Sequence, residues 1–242
     1  GEDWFIHFQD KGIYGRITHL QPIKWKENWP VIGEDKDGDG IGEPVTQYHL
    51  PVSVKGNFIN SFNNANSIDE FEDAKLNENW QWQANPQETF SFLYPHQLKL
   101  YARYFSDSLK NLYNYPNLLM QKFPAEKFEA STKMTFNPIV DKEKCGLIVF
   151  GYDYSYIGLK KIGNQIFLIQ STAKNAFENN PEEIKIIDTI GINQEVYLKV
   201  KMTDSNHCKF SYSLDDKLYL ETNYDFVPKP GKWVGAKVGI FA

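Results

Sequence analysis

Long apolar runs are missing from this chain of 242 residues. That excludes a membrane-spanning helix, which needs about 20 consecutive apolar residues. No basic segment followed by an apolar stretch opens the sequence, so a secretory leader is not expected within it and would lie before Gly1. Cysteine is scarce. Cys145 and Cys208 stand far apart and form no C-x-x-C zinc or redox motif, which leaves one disulfide or two buried thiols open. Arginine is scarce too: Arg16 and Arg103 are the two among 26 basic residues. With 31 acidic residues the net charge is −5, and no basic stripe is present. A nucleic-acid partner is therefore not expected. The sequence also lacks G-x-S-x-G, a P-loop and H-E-x-x-H, so no nucleophile or metalloprotease motif can be assigned.

Aromatic residues are abundant, with 17 Phe, 14 Tyr and 6 Trp. They fit pleated β-surfaces, and flat rings also stack on sugar faces. Residues 1–53 hold three of the six tryptophans and three of the five histidines and read as short strands broken by turns. Trp4 to Phe8 is an apolar strand, Asp10-Lys11-Gly12 a turn, and Tyr14 to Leu20 a second strand that Pro22 interrupts. Such strands are marginal alone in water. Residues 54–67 are polar and asparagine-rich and read as a linker. Residues 68–242 carry a dozen candidate strands at near-regular spacing, the pattern of an antiparallel β-sandwich. Gly163-Asn164 sits between two alternating runs as a hairpin signal. One stretch, 106–115, looks helical and ends at Pro116.

Three features carry chemistry. Asp35-Lys36-Asp37-Gly38-Asp39-Gly40 matches the first half of an EF-hand loop, with acids at positions 1, 3 and 5 and glycine at 6. Position 9 is Glu43, but position 12 is Thr46 where a bidentate glutamate is required. Calcium on Asp35, Asp37 and Asp39 competes here with a solvated acidic turn. His7 lies inside an aromatic strand, where a satisfied core histidine competes with a ligand-facing one. Arg16 follows Gly15 and can reach a carboxylate or a sugar hydroxyl, or form a structural salt bridge. Paired carboxylates for glycoside hydrolysis cannot be picked out by spacing, because they can come from distant strands.

Longer motifs resolve some of this. Trp4-Phe5-Ile6-His7-Phe8-Gln9-Asp10, Tyr14-Gly15-Arg16-Ile17-Thr18-His19-Leu20-Gln21-Pro22, and Trp29-Pro30-Val31-Ile32-Gly33 resemble the final propeller blade of glycoside hydrolase family 43. Leu76 to Pro86, Pro116 to Pro124 and Gly231 to Gly239 resemble its C-terminal sandwich. These relatives are β-xylosidases and α-L-arabinofuranosidases. The resemblance implies an all-β chain: a partial β-propeller blade at 1–53, a linker at 54–67, and a concanavalin-like antiparallel β-sandwich at 68–242. It implies inverting hydrolysis of xylosyl or arabinosyl linkages by carboxylates that lie upstream, so no catalytic residue is expected in this chain. It implies that Arg16 holds the sugar and that His7 lies near the propeller axis. The sandwich aromatic that closes the pocket in related xylosidases has Pro228 and Lys229 in its place here.

Three readings follow. The chain is a C-terminal glycosidase segment, inactive alone; or a carbohydrate-binding module using Trp80, Trp82, Tyr152, Tyr154 and Tyr156; or one half of an enzyme completed by blades from a second polypeptide. The expected partners are an oligo- or polysaccharide and the upstream blades, with neither nucleic acid nor membrane. The substrate class implies a secreted or periplasmic location.

Overall fold

A computed structural model describes residues 2–49, 68–104, 106–203 and 206–242. The expected linker at 54–67 lies outside the described residues. Contacts divide the chain into two units: the described part of Gly1–Lys11 and Arg16–Asn66, and Gly12–Gly15 with the described part of Ser67–Ala242. Among the described residues no helix is long and apolar enough to cross a membrane.

The first unit is built on a three-stranded antiparallel sheet, β1 (Asp3–Asp10), β2 (Arg16–Lys26) and β3 (Trp29–Ile32), with β2 in the middle. Glu27 and Asn28 both have positive φ, 51° and 64°, which is the two-residue turn whose twist matches the β2–β3 hairpin. Proline 22 does not interrupt β2, contrary to the sequence expectation. Its carbonyl accepts from Gly33 N at 2.8 Å, on the side where β3 has just ended at Ile32. No ladder bond is therefore waiting for the N–H that proline lacks. The buried amide of Gln21 exchanges hydrogen bonds with the backbone of Val45, 3.2 Å and 2.8 Å, and fixes the following segment.

The second unit is a sandwich. Its larger sheet runs β12-β11-β10-β9-β16-β7-β4, comprising β4 (Gln81–Trp82), β7 (Leu118–Lys122), β9 (Lys144–Phe150), β10 (Tyr154–Ile162), β11 (Gln165–Ala173), β12 (Glu183–Ile190) and β16 (Lys237–Phe241). Its smaller sheet runs β15-β14-β13-β8, comprising β8 (Phe128–Thr135), β13 (Glu195–Met202), β14 (Cys208–Ser213) and β15 (Leu220–Glu221). A separate hairpin pairs β5 (Ser91–Tyr94) with β6 (Gln97–Leu100). Alternation along β9, β10, β13 and β14 sends Leu147, Val149, Ile157, Leu159, Leu198, Val200 and Phe210 into one core between the sheets.

The larger sheet is buried on its other face as well. There Met120, Ile148, Phe150, Tyr154, Tyr156 and Phe241 pack under Leu112 and Ala176. Residues 106–115 contain no helix. Asn111 donates to the carbonyls of Ala176 and Asn180, its own Oδ1 accepts from Tyr113 N, and Tyr154 OH accepts from Leu112 N at 2.7 Å. These side-chain bonds take the backbone partners that a helix would use. Strand β16 starts only at Lys237, because residues 231–234 close a tight turn with Trp233 at φ 64°.

Cys145 and Cys208 are both free and buried. Burial pushes each thiol up to about 12, so neither is a reactive nucleophile.

Candidate functional site

His7 and Arg16 both lie on the first unit's β1–β2 ladder, but the register separates them. His7 pairs with His19, whereas Arg16 pairs with Asp10. Side chains alternate along a strand, so these two pairs point to opposite faces of the sheet. On the first face, Phe5, His7 and His19 form a stacked ladder with ring centroids 5.5 and 5.2 Å apart. His19 Nε2 is buried with no hydrogen-bond partner among the described residues. On the second face, the Arg16 guanidinium sits 4.7 Å from the centre of the Phe8 ring, a cation–π contact. A ligand touching both His7 and Arg16 would have to reach round the hairpin end rather than lie on one face.

Neither face is covered within the unit. Ile6 is 69% exposed and Trp29 is 73% exposed. Phe5, Phe8, Ile17, Leu20 and Trp25 are exposed as well, and Val31 is the one aliphatic side chain of this unit buried among the described residues, beside Pro22. Large apolar side chains on both faces of a thin sheet mark surfaces built to be covered.

The acidic loop is a closed structure. Glu34 and Glu43 exchange backbone hydrogen bonds of 3.0 and 2.9 Å at its base. Gly33 and Gly42 permit this, since a Cβ on Gly33 would lie 2.1 Å from Glu43 O and one on Gly42 would lie 2.0 Å from Ile32 O. Inside, Asp35 accepts from Gly38 N and Gly40 N, Asp37 from Asp39 N, and Asp39 from Ile41 N. The three carboxylates converge with oxygen atoms within 4.8 Å of one another. Three hard oxygen donors suit calcium, but Glu43 is engaged by Lys36 N and Thr46 supplies no bidentate carboxylate.

In the sandwich, the aromatic row expected from the sequence does not exist as a surface. Tyr154 and Tyr156 are fully buried and cannot stack on a sugar. The hydroxyls of both donate to Glu182, at 2.6 and 3.3 Å, and Lys144 holds both Glu182 oxygens at 2.8 and 2.7 Å. Burial, then the Glu182 charge, pushes both phenols well above their ordinary range. Trp80 is engaged by Asp69 and stacks on Phe71, while Trp82 meets Phe90 edge-on and Tyr152 meets Phe177.

At the stretch expected to differ from related xylosidases, Pro228 is buried and Lys229 pairs with the buried carboxylate of Asp153 at 2.8 Å. Four residues beyond Lys229, sequence reasoning missed Trp233. It is exposed at the tip of a turn, and its φ of 64° is strained for a bulky side chain. The signal available beforehand was a tryptophan held between glycines, Gly231 and Gly235.

Residues 68–242 match the family model described as the β-xylosidase C-terminal concanavalin A-like domain. A putative β-xylosidase of Xylanibacter ruminicola is 35% identical over 99% of this chain and 42% of its own length. A non-reducing-end α-L-arabinofuranosidase of Bacteroides ovatus is 24% identical over 80% of this chain and 34% of its own length. An engineered family-43 glycoside hydrolase with endo-xylanase and exo-arabinofuranosidase activity has a structure that superposes with TM-score 0.76 at 20% identity, over 100% of this chain and 48% of that one. The chain thus spans less than half the length of these relatives.

Proposed function

The chain belongs to glycoside hydrolase family 43, whose β-xylosidase C-terminal concanavalin A-like domain occupies residues 68–242, and on that premise we propose that it is the C-terminal portion of a glycosidase that removes xylosyl or arabinofuranosyl units from plant polysaccharide. One observation carries this beyond family membership: the first unit's sheet exposes large apolar side chains on both faces and leaves His19 Nε2 unbonded among the described residues. That supports reading residues 1–53 as the last blade of a five-bladed propeller. Its neighbours are then upstream blades, in the same chain or in another one.

In this reading the upstream blades supply the general acid, the general base and a third carboxylate. Inversion needs the acid and base about 6.5–9.5 Å apart with a water between them. The chain alone therefore hydrolyses nothing, since general acid–base work needs both groups in place. Its own contribution is to position the sugar. Arg16 donates hydrogen bonds to sugar hydroxyls from one side of the blade, and His7 helps fix the acid or a central ion from the other. Asp35, Asp37 and Asp39 would hold a calcium ion that stiffens the acidic loop rather than taking part in bond cleavage. The polymeric substrate places the protein outside the cytoplasm, secreted or periplasmic.

The alternative, a binding module without hydrolase context, loses Tyr154 and Tyr156 to the core. The deciding test is hydrolysis of nitrophenyl β-xyloside and α-arabinofuranoside, by the chain alone and by the chain joined to or mixed with upstream family-43 blades. Turnover is expected in the second case and not in the first. Clear turnover by the chain alone would overturn the assignment of the acids to upstream blades.

A further inference from the structure

We propose that the outward face of the β5–β6 hairpin is a polysaccharide-binding platform, with Phe92, Tyr94 and Tyr101 stacking on sugar rings and Gln97 and Lys99 bonding to their hydroxyls. The inference rests on the carbohydrate reading above for its ligand class, and on the hairpin's own chemistry for its location.

The register sorts the side chains. Ser91, Leu93, Leu98 and Leu100 point one way and are half-buried, while Phe92, Tyr94, Gln97 and Lys99 point the other way and are exposed. Phe92 stands opposite Lys99, and Tyr94 stands opposite Gln97. Phe92 is 55% exposed, Tyr94 is 45% exposed, and their ring centroids lie 4.8 Å apart. The Lys99 ammonium lies 5.1 Å from the centre of the Tyr101 ring. One strand thus presents rings and the other presents hydrogen-bonding groups, side by side.

The platform is held in place. His96 N donates to Phe71 O at 3.2 Å at the hairpin tip, and Tyr101 N donates to Phe90 O at 3.0 Å at its base. Phe90 is itself buried against Trp82. Rings on a braced hairpin lose little freedom on binding, which favours affinity. Among the described residues, the Tyr94 and Tyr101 hydroxyls, the Gln97 amide and the Lys99 ammonium have no hydrogen-bond partner in the protein, so each is available to a ligand.

The chemistry favours a sugar over a protein partner. The centres of protein interfaces are depleted in lysine, yet Lys99 stands directly across from Phe92 in the middle of this face. A pyranose presents C–H groups to a ring and hydroxyls at its rim, which suits a face that alternates rings with donors.

The test uses the complete 242-residue chain and a Phe92→Thr/Tyr94→Thr variant, threonine being chosen to keep the strand. Depletion onto insoluble xylan and native gels cast with soluble arabinoxylan should show retention that falls at least about tenfold in the variant, with the melting temperature unchanged. Retention that survives the substitutions overturns the platform. As a check independent of any variant, xylohexaose should shift the backbone amide resonances of Phe92, Tyr94 and Lys99 in the unmodified chain; shifts confined to other residues overturn it. A concentration-dependent dimer lost in the variant would mean that a second copy covers this face, and would also overturn it. Hydrolysis by the chain joined to upstream blades is measured in parallel. Intact hydrolysis with no xylan retention by the unmodified chain removes the platform and leaves the proposed function standing.

Discussion

The first unit's sheet and the sandwich use the same kinds of side chain in opposite ways. In the sandwich, Leu147, Leu198, Phe210 and Tyr156 are sealed between layers. In the sheet of β1, β2 and β3, Ile6, Phe8, Leu20 and Trp29 face outward. The β1–β2 and β9–β10 ladders both pair in unbroken register, so hydrogen bonding does not distinguish the two regions. The difference is the number of layers. Two packed sheets bury their shared face, and a lone sheet of three strands buries little until something covers it. One region is closed by its own layers, and the other leaves large apolar side chains uncovered among the described residues.

The largest test of that contrast is to separate the two. Residues 68–242 expressed alone should unfold in one cooperative transition by circular dichroism. Residues 1–49 alone should show no transition at all. A cooperative melt from 1–49 would break the comparison. Matched substitutions sharpen it next. Leu198→Ala, at a fully buried site, should cost about 2–5 kcal/mol in denaturant titration. Ile6→Ala, in the same 242-residue chain, should change stability by about 0.5 kcal/mol or less, as exposed positions do.

Electrostatics gives the third contrast. Glu182→Gln leaves Lys144 without its paired carboxylate beside two buried phenols, and should cost about 3 kcal/mol. Glu129→Gln breaks the solvent-exposed pair with Lys201 and should cost under about 1 kcal/mol.

The fourth concerns alkali. Tyr154 and Tyr156 keep their protons in the fold well above the ordinary 10.0, and the Cys145 and Cys208 thiols keep theirs to about 12 against an ordinary 9.0. Above those ordinary values the unfolded chain binds fewer protons than the folded one. The stability these groups contribute is therefore whole at neutral pH and falls as pH rises, from near 9 for the thiols and near 10 for the phenols. Melting temperatures of residues 68–242 measured from pH 8 to 12 should decline in that window; a flat profile would contradict the burial of these groups.

The last test concerns the acidic loop. If calcium binds Asp35, Asp37 and Asp39, a concentration of 100 times its Kd adds about 2.7 kcal/mol to whatever folds with the loop. Asp37→Asn should weaken that response, read by calorimetric titration with calcium against magnesium. No heat with either ion would return the loop to a solvated turn braced by its own backbone bonds.

Much of the fold was legible because its signals are local. The Gly163-Asn164 hairpin joins β10 to β11 as its alternation required. The misreadings have a shared origin in partners far along the chain. Residues 106–115 have helical composition, yet Asn111 and Leu112 are bonded to Ala176, Asn180 and Tyr154. Tyr154 and Tyr156 alternate like surface residues of a half-buried strand, yet a second layer closes over them. For the candidate site, residue types were legible but their arrangement was not: the register that puts His7 and Arg16 on opposite faces depends on where β1 pairs with β2.

The amino-acid sequence by itself determined the class of this protein. Its period-two alternation, turn residues and aromatic content specify antiparallel strands, and its motifs specify family 43. Tertiary structure alone decided which aromatic rings are core and which are surface, that the two cysteines remain separate thiols, and that Trp233 and the Phe92–Tyr94 pair stand exposed. The physical reason is that alternation assigns a side chain to one of two faces, and only packing against distant residues decides whether that face is covered.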